Sequence, residues 1–305
     1  MEKVIIIGAG PAGISAALYA VRGNLDPLVI NNGIGALEKA EKIENYYGLE
    51  HPLSGKELYD TGIVQAKTLG VRILDAQVLG VGGFDTFVVK TTEGEFETQS
   101  LILATGSKRA APKIPGVKEF EGKGVSYCAI CDAFFYRGKD VAVLGNGDFA
   151  MHEAKELSNT ASTVTIYTNG KEPEFTPEGN ISVNTMKIQS VEGDDLVSGI
   201  RLAPDVQAQE INGEAGQQHN DFCPADGVFI AMGTAGSTEI ARQMGAELTE
   251  KGNIKVNENM ETTIPGLYAA GDCTGGLLQV AKAVYEGAQA GINAGKYVRS
   301  LKQKI

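Results

Sequence analysis

The segment Gly8-Ala9-Gly10-Pro11-Ala12-Gly13 constrains this chain more than any other, because of what flanks it. Before it runs Lys3-Val4-Ile5-Ile6-Ile7, a continuous apolar stretch suited to a parallel strand covered on both faces. After it, residues 14–22 carry an alanine- and leucine-rich helical pattern, and residues 27–30 read as the next strand. Strand, glycine turn, helix and second strand within about 30 residues make the βαβ unit of a dinucleotide fold. In that unit Gly8 permits the tight turn, Gly10 lets a pyrophosphate approach backbone N–H groups, and Gly13 lets helix and strand pack closely. Pro11 and Ala12 open the helix, whose N-terminus carries a partial positive charge that favours phosphate. The acid that commonly ends the second strand and binds a ribose is absent; Asn31 and Asn32 stand there, able to hydrogen-bond a hydroxyl without charge.

A second unit of this kind begins far downstream. Residues 140–144 read as a strand, Gly145-Asn146-Gly147-Asp148-Phe149-Ala150 as its turn, 151–157 as a helix and 163–167 as the following strand. The expected fold class is α/β, with two nucleotide-binding, Rossmann-like domains, the second inserted in the first. Turn-rich stretches near Pro112 and Gly233 suggest the boundaries, giving residues 1–113 with 245–305 as one domain and 114–244 as the insertion. A long helix is expected over residues 277–298.

Composition narrows the function classes. The 305 residues are 43% hydrophobic and 21% charged, which is globular. The longest apolar runs, residues 4–7 and 228–232, are far too short to span a bilayer, and the start of the chain lacks a signal-peptide layout, so a cytoplasmic protein with no membrane partner is expected. The formal charge of −11 argues against nucleic acid as a partner. Residues 114–244 hold 9 basic and 19 acidic side chains, so the acidity belongs almost wholly to the insertion.

Cys128-Ala129-Ile130-Cys131-Asp132 carries the most chemistry. Two cysteines at this spacing can close a small disulfide ring or shift one another's acidity. Thiol–disulfide exchange needs an attacking thiolate and a resolving thiol within reach, which the pair supplies, and Asp132 is placed to carry a proton. A structural zinc site would need four ligands; there is no second Cys-x-x-Cys, and His51, His152 and His219 do not cluster, so no metal is expected. Cys223 and Cys273 stand alone and read as buried thiols.

Taken in order along the chain, these pieces resemble the low-molecular-weight thioredoxin reductases. The likeness rests on Gly8–Gly13, Ile43-Glu44-Asn45, Ala104-Thr105-Gly106, Cys128–Asp132, Leu267-Tyr268-Ala269-Ala270-Gly271-Asp272 and Gln279. It implies a homodimeric flavoprotein with FAD as cofactor and thioredoxin as partner. It also implies that Gly8, Gly10, Pro11, Ala12, Gly13, Asn31, Gly35, Leu37, Asn45, Ala104, Thr105, Gly106, Gly271, Asp272 and Gln279 lie at the flavin nucleotide. Cys131 would be the flavin-proximal thiol, Cys128 the one that attacks thioredoxin, and Asp132 the acid/base.

Departures from that family are as informative. The family's second fold binds NADPH through a small-residue glycine turn and an arginine-bearing stretch. Here Phe149 stands in the turn, and Thr168-Asn169-Gly170-Lys171-Glu172-Pro173-Glu174-Phe175 holds no arginine. A 2′-phosphate wants a forked cation, which an acidic domain without one does not offer. Ala36 and Leu278 also replace a glutamine and an arginine common in the family. This profile resembles the ferredoxin-dependent flavin thioredoxin reductases, which implies reduced ferredoxin as electron donor. Lys108, Arg109, Lys113, Lys39 and Lys42 are the cations that could meet an acidic carrier. A flavin-dependent dithiol oxidase, an NADH-dependent reductase and a redox-sensing module without turnover remain alternative readings.

Overall fold

The apolar run at residues 3–7 forms the inner part of β1 (Glu2–Ile7), and Val4, Ile5 and Ile6 are completely buried. The structure, a computed structural model, describes residues 1–83, 85–106, 112–127, 129–204, 221–232 and 236–302, the side chains of Ile130 and Cys131 excepted. Two units emerge: Met1–Arg109 with Ala235–Ile305, and Ala110–Thr234.

In the first unit β1 lies between β2 (Pro27–Asn31) and β6 (Gly94–Leu103), parallel to both, with β3 (Arg72–Asp75) outside β2. The far edge of β6 is shared. Its first half pairs antiparallel with β5 (Phe87–Thr91), which pairs in turn with β4 (Val78–Gly82). Its last residues pair parallel with β15 (Leu267–Ala269). Helix α1 (Pro11–Arg22) follows β1, and α2 (Gly55–Thr68) precedes β3. A reciprocal capping box fixes the start of α2: Ser54 Oγ accepts the Glu57 N–H, and Glu57 Oε2 accepts the Ser54 N–H.

The second unit repeats the plan. Its all-parallel sheet runs β10-β9-β8-β14-β7, with β8 (Asp140–Leu144) between β9 (Thr163–Tyr167) and β14 (Gly227–Ile230), and β10 (Ser182–Asn184) and β7 (Val125–Ser126) at the edges. Helix α3 (Ala129–Asp132) follows β7, and α4 (Asp148–Ser158) follows the turn after β8. An antiparallel set, β11 (Ile188–Gly193), β12 (Val197–Leu202) and β13 (Phe222–Pro224), matches β4-β5-β6 of the first unit. This is the expected α/β class with two Rossmann-like units.

Helix α5 (Ser237–Gln243) opens on Ser237, which is hydrogen-bonded to Thr105 of the same unit. The last helix, α6, runs Val280–Lys302, a few residues later than 277–298. Among the described residues no helix is long and apolar enough to cross a membrane.

Helices α1 and α6 approach backbone to backbone. A Cβ on Gly287 would lie 2.0 Å from the Ala12 carbonyl oxygen, and one on Gly291 would lie 2.2 Å from that of Ala16. Gly291→Ala is therefore expected to destabilise the protein by about 1–3 kcal/mol in chemical denaturation, since the helices must separate. Gly62→Ala, inside α2 with only the Ile14 methyl at 3.7 Å, is expected to be neutral or stabilising by up to about 1 kcal/mol.

Candidate functional site

The turn after β1 is held by backbone. Gly8, at φ +108°, donates its N–H to Ile30 O at 2.9 Å, and a Cβ on Gly13 would lie 1.8 Å from the Gly8 carbonyl oxygen. Gly10 is the N-cap of α1, extended, without a side-chain cap, and nothing lies within 4 Å of the Cβ it lacks. Pro11 has no N–H, so the N–H groups of Ala12 and Gly13 are the donors of an open first turn. An uncapped helix N-terminus behind an empty approach can receive an anionic group such as a pyrophosphate.

Three sequence-predicted partners gather at this turn. The Cβ position of Gly8 lies 2.4 Å from Ala104 O and 3.1 Å from the Thr105 nitrogen, and that of Gly271 lies 3.0 Å from the Ala12 Cβ. Gly271 and Thr274, on either side of Asp272, are in turn fixed by two residues of α6 that sequence reasoning missed. Glu286 Oε2 accepts the Gly271 N–H at 2.8 Å and the Thr274 hydroxyl at 2.9 Å. The Lys282 ammonium pairs with Glu286 at 3.0 Å and also donates to Gly271 O and Thr274 Oγ1. Burial raises the Asp272 carboxyl above its ordinary value; the Lys282 charge opposes the rise and that of Glu286 adds to it. The available signal was Glu286 lying at helical spacing from Ala283 and Ala290, a charge on an apolar stripe.

Asn45 and Gln279, 234 residues apart, are also brought together, Asn45 Nδ2 donating to Gln279 Oε1 at 3.0 Å. Asn31 ends β2 with its amide committed: Nδ2 donates to Asp75 at 2.6 Å, and the Tyr59 hydroxyl donates to Oδ1 at 2.9 Å. A carboxylate therefore does stand at this strand edge, supplied by β3. Gly35 and Leu37 lie in a short 3-10 turn, Gly35–Lys39, with the Leu37 carbonyl against Gly55 at the start of α2. Gly106 has φ +85° and open space around it. Thr105 and Ser237 clasp each other: each backbone N–H donates to the other's hydroxyl, at 3.1 and 2.8 Å, and the hydroxyls lie 2.7 Å apart.

The second unit's turn starts the same way, with the Gly145 N–H on Tyr167 O at 3.1 Å. Its approach differs. Glu174 donates its N–H to Asn146 O at 2.7 Å, and its carboxylate lies 3.8 Å from the Cβ position of Gly147, the N-cap of α4. Phe149 is buried, 3% exposed, so the group standing at this turn is Glu174 rather than the phenyl ring that the sequence suggested.

Cys128 lies outside the described residues. Cys131 sits on α3, and its side chain is likewise outside the description. Asp132, at the end of that helix, accepts the Ser126 hydroxyl at 2.6 Å. Behind the segment is a residue the sequence reading passed over: Glu153 of α4, 1% exposed, takes the Ala129 N–H at 2.6 Å. Its spacing from Phe149 and Leu157 on the buried face of α4 was the available signal. Lys108 and Arg109 lie outside the described residues; Lys39 and Lys113 are exposed, and Lys42 is paired with Glu44 at 2.9 Å. Among the described residues no group of three or more His, Cys, Asp or Glu could hold a metal ion.

Glu286→Ala strands the Gly271 N–H and the largely buried Lys282 ammonium together. A loss of about 2–4 kcal/mol is expected in denaturant titrations, with weakened flavin retention. Lys56→Ala, which removes the exposed Lys56–Asp60 pair, should leave stability unchanged.

The family model for pyridine nucleotide-disulphide oxidoreductases matches residues 2–287. A thioredoxin reductase of Aquifex aeolicus (strain VF5) is 36% identical, over 99% of this chain and 94% of its own length. Among solved structures, the atypical thioredoxin reductase TRi from Desulfovibrio vulgaris Hildenborough superposes with a TM-score of 0.87 at 39% identity, covering 98% of this chain and 99% of its own. A ferredoxin-flavin thioredoxin reductase from Clostridium acetobutylicum superposes with a TM-score of 0.67 at 30% identity, covering 98% of each. The chain belongs to the pyridine nucleotide-disulphide oxidoreductases and, within them, to the low-molecular-weight thioredoxin reductase family of flavin disulfide reductases, whose cofactor is FAD.

Proposed function

We propose that this thioredoxin reductase draws its electrons from reduced ferredoxin, not from NADPH, and passes them through FAD and Cys128–Cys131 to thioredoxin. The observation that carries the donor assignment is Glu174. In a Rossmann unit the helix N-terminus after the glycine turn receives a pyrophosphate. Here a carboxylate of the chain faces that N-cap, and the Glu174 N–H ties its loop to the turn. An incoming phosphate would meet like charge at close range, with no arginine among residues 168–175 to offset it. The likeness to the Clostridium ferredoxin-flavin enzyme points the same way.

The first unit supplies the cofactor site. Gly10, Pro11, Ala12 and Gly13 would hold the pyrophosphate, with Gly8, Ala104, Thr105 and Gly106 shaping the turn beside it. Asn31 would face the adenosine ribose with Asp75 and Tyr59 behind it, and Gly35 and Leu37 would line the same end. Gly271 and Asp272 would meet the ribityl–phosphate region, and Asn45 and Gln279 the flavin edge. When bound, FAD accepts electrons singly and delivers them as a pair, which a dithiol alone cannot do. The overall balance is two reduced ferredoxins, one thioredoxin disulfide and two protons giving two oxidised ferredoxins and one thioredoxin dithiol.

The protein side chains do the rest. Cys128 attacks a sulfur of the thioredoxin disulfide, forming a mixed disulfide and releasing a thiolate that takes a proton from Asp132. Cys131 then displaces the second thioredoxin thiol and closes the Cys128–Cys131 disulfide. The Ser126 hydroxyl fixes the Asp132 carboxyl through this exchange. The same reading makes the working enzyme a cytoplasmic homodimer.

Anaerobic stopped-flow mixing tests the donor. Reduced ferredoxin should bleach the flavin absorbance within seconds, whereas NADPH and NADH should leave it unchanged; rapid bleaching by NADPH would overturn the assignment. Cys128→Ser and Cys131→Ser should each lower ferredoxin-driven thioredoxin reduction by about 10³-fold or more, because exchange needs both an attacking and a resolving thiol. Retained turnover would remove the dithiol from the path. Oxygen uptake with a small dithiol, in place of thioredoxin reduction, would favour an oxidase.

A further inference from the structure

Glu153 is the one buried carboxyl in the described part of the second unit that the exchange chemistry leaves unused. Its residue is 1% exposed; Oε2 takes the Ala129 N–H at 2.6 Å, and Oε1 has no hydrogen-bond partner among the described residues. The nitrogen it holds is the peptide nitrogen bonded directly to Cys128, two residues before Cys131. A structural glutamate would be expected to satisfy both oxygens, since each unmet buried acceptor is costly. We propose that Glu153 is a positioning residue for the dithiol: it anchors the Cys128–Ala129 peptide, and its charge sets how much thiolate the pair presents.

Burial disfavours the carboxylate and pushes Glu153 up to about 7; the Ala129 N–H works against the rise and the charge of Glu156 adds to it. Glu153 therefore changes charge within the working pH range of a cytoplasmic enzyme. The Cys128 thiol is joined to the Ala129 nitrogen through a few covalent bonds, so a carboxylate held on that nitrogen disfavours a thiolate there: the ionised form of Glu153 holds the thiol protonated and the neutral form releases it. Other titratable groups on the elements packed against it are Cys131 and Asp132 on α3, Asp140 on β8 and Tyr167 on β9. On its own helix they are Asp148, His152, Lys155, which pairs with Glu178, and Glu156.

The inference rests on Cys128–Cys131 being the working dithiol, and the test separates the two. In FAD-loaded Cys131→Ser enzyme, Cys128 is the reporter thiol; its alkylation by iodoacetamide is followed by peptide mass spectrometry. Cys273 is buried with its thiol pushed up to about 12, and Cys223 is resolved by mass. Glu153→Gln keeps an oxygen for the Ala129 N–H and removes the charge. Relative to its Glu153 parent it should react at an equal rate near pH 6 and about threefold faster or more near pH 8.5. A ratio that does not change with pH overturns the proposal.

If the glutamine variant does not fold with its flavin, the Cys131→Ser profile decides together with its Asp132→Asn derivative. A second inflection near pH 7, beside the thiol's own, that survives Asp132→Asn supports Glu153; a profile with the thiol's inflection alone, or loss of the second inflection in Asp132→Asn, overturns the proposal. Wild-type thioredoxin turnover is measured alongside. No turnover with a pH-graded ratio removes the functional reading and keeps Glu153; turnover with a flat ratio does the reverse.

Discussion

A helix leaves its first N–H groups without partners inside the helix, and each unit of this protein ends its central strand on such a helix. The two units differ in what stands beside those groups. At α1 the N-cap is Gly10, bare and facing open space, so the donors wait for an external anion. At α4 the N-cap, Gly147, also has no side-chain cap, but the Glu174 carboxylate stands 3.8 Å from its Cβ position. The same turn, tied to the second strand by the same glycine N–H bond, is thus open in one unit and has a carboxylate beside it in the other. The proposed donor rests on that contrast.

Keeping α1 open requires that it be fixed from behind. Gly13 lies against the Gly8 carbonyl, and Gly287 and Gly291 let α6 reach the backbone of α1, distances no side chain would allow. The third support is ionic, with Glu286 and Lys282 tying Gly271 and Thr274 to α6, largely out of solvent. Rigid backbone packing around an uncapped N-terminus is a preorganised anion site, in which little must reorder when a pyrophosphate binds.

Much of this was legible in the sequence. Periodicity and glycine spacing placed β1, α1, β8 and β9 because those elements are set by local pattern. The gathering of Gly8, Ala104, Thr105 and Gly271 was carried by the family resemblance. What stayed hidden was side chains whose partners lie far along the chain: Asp75 completing Asn31, Ser237 clasping Thr105, Glu286 holding Gly271. Glu153 and Glu174 show the limit most sharply. Counting charge marked the insertion as acidic, but only the fold shows one carboxyl buried against Ala129 and the other turned toward Gly147. Phe149 belongs to the glycine turn by sequence, but it is on α4 and buried, which local spacing alone does not show.

The proposed loss of a usable pyridine-nucleotide site from the second unit is tested by direct binding, without dependence on turnover. Calorimetric titration of the FAD-loaded enzyme with NADP⁺, which cannot reduce the flavin, should give no saturable heat into the millimolar range, in the wild type as in a Glu174-intact control carrying Cys128→Ser. Saturable binding at micromolar concentration would show that the carboxylate at Gly147 yields to phosphate, and would contradict the account.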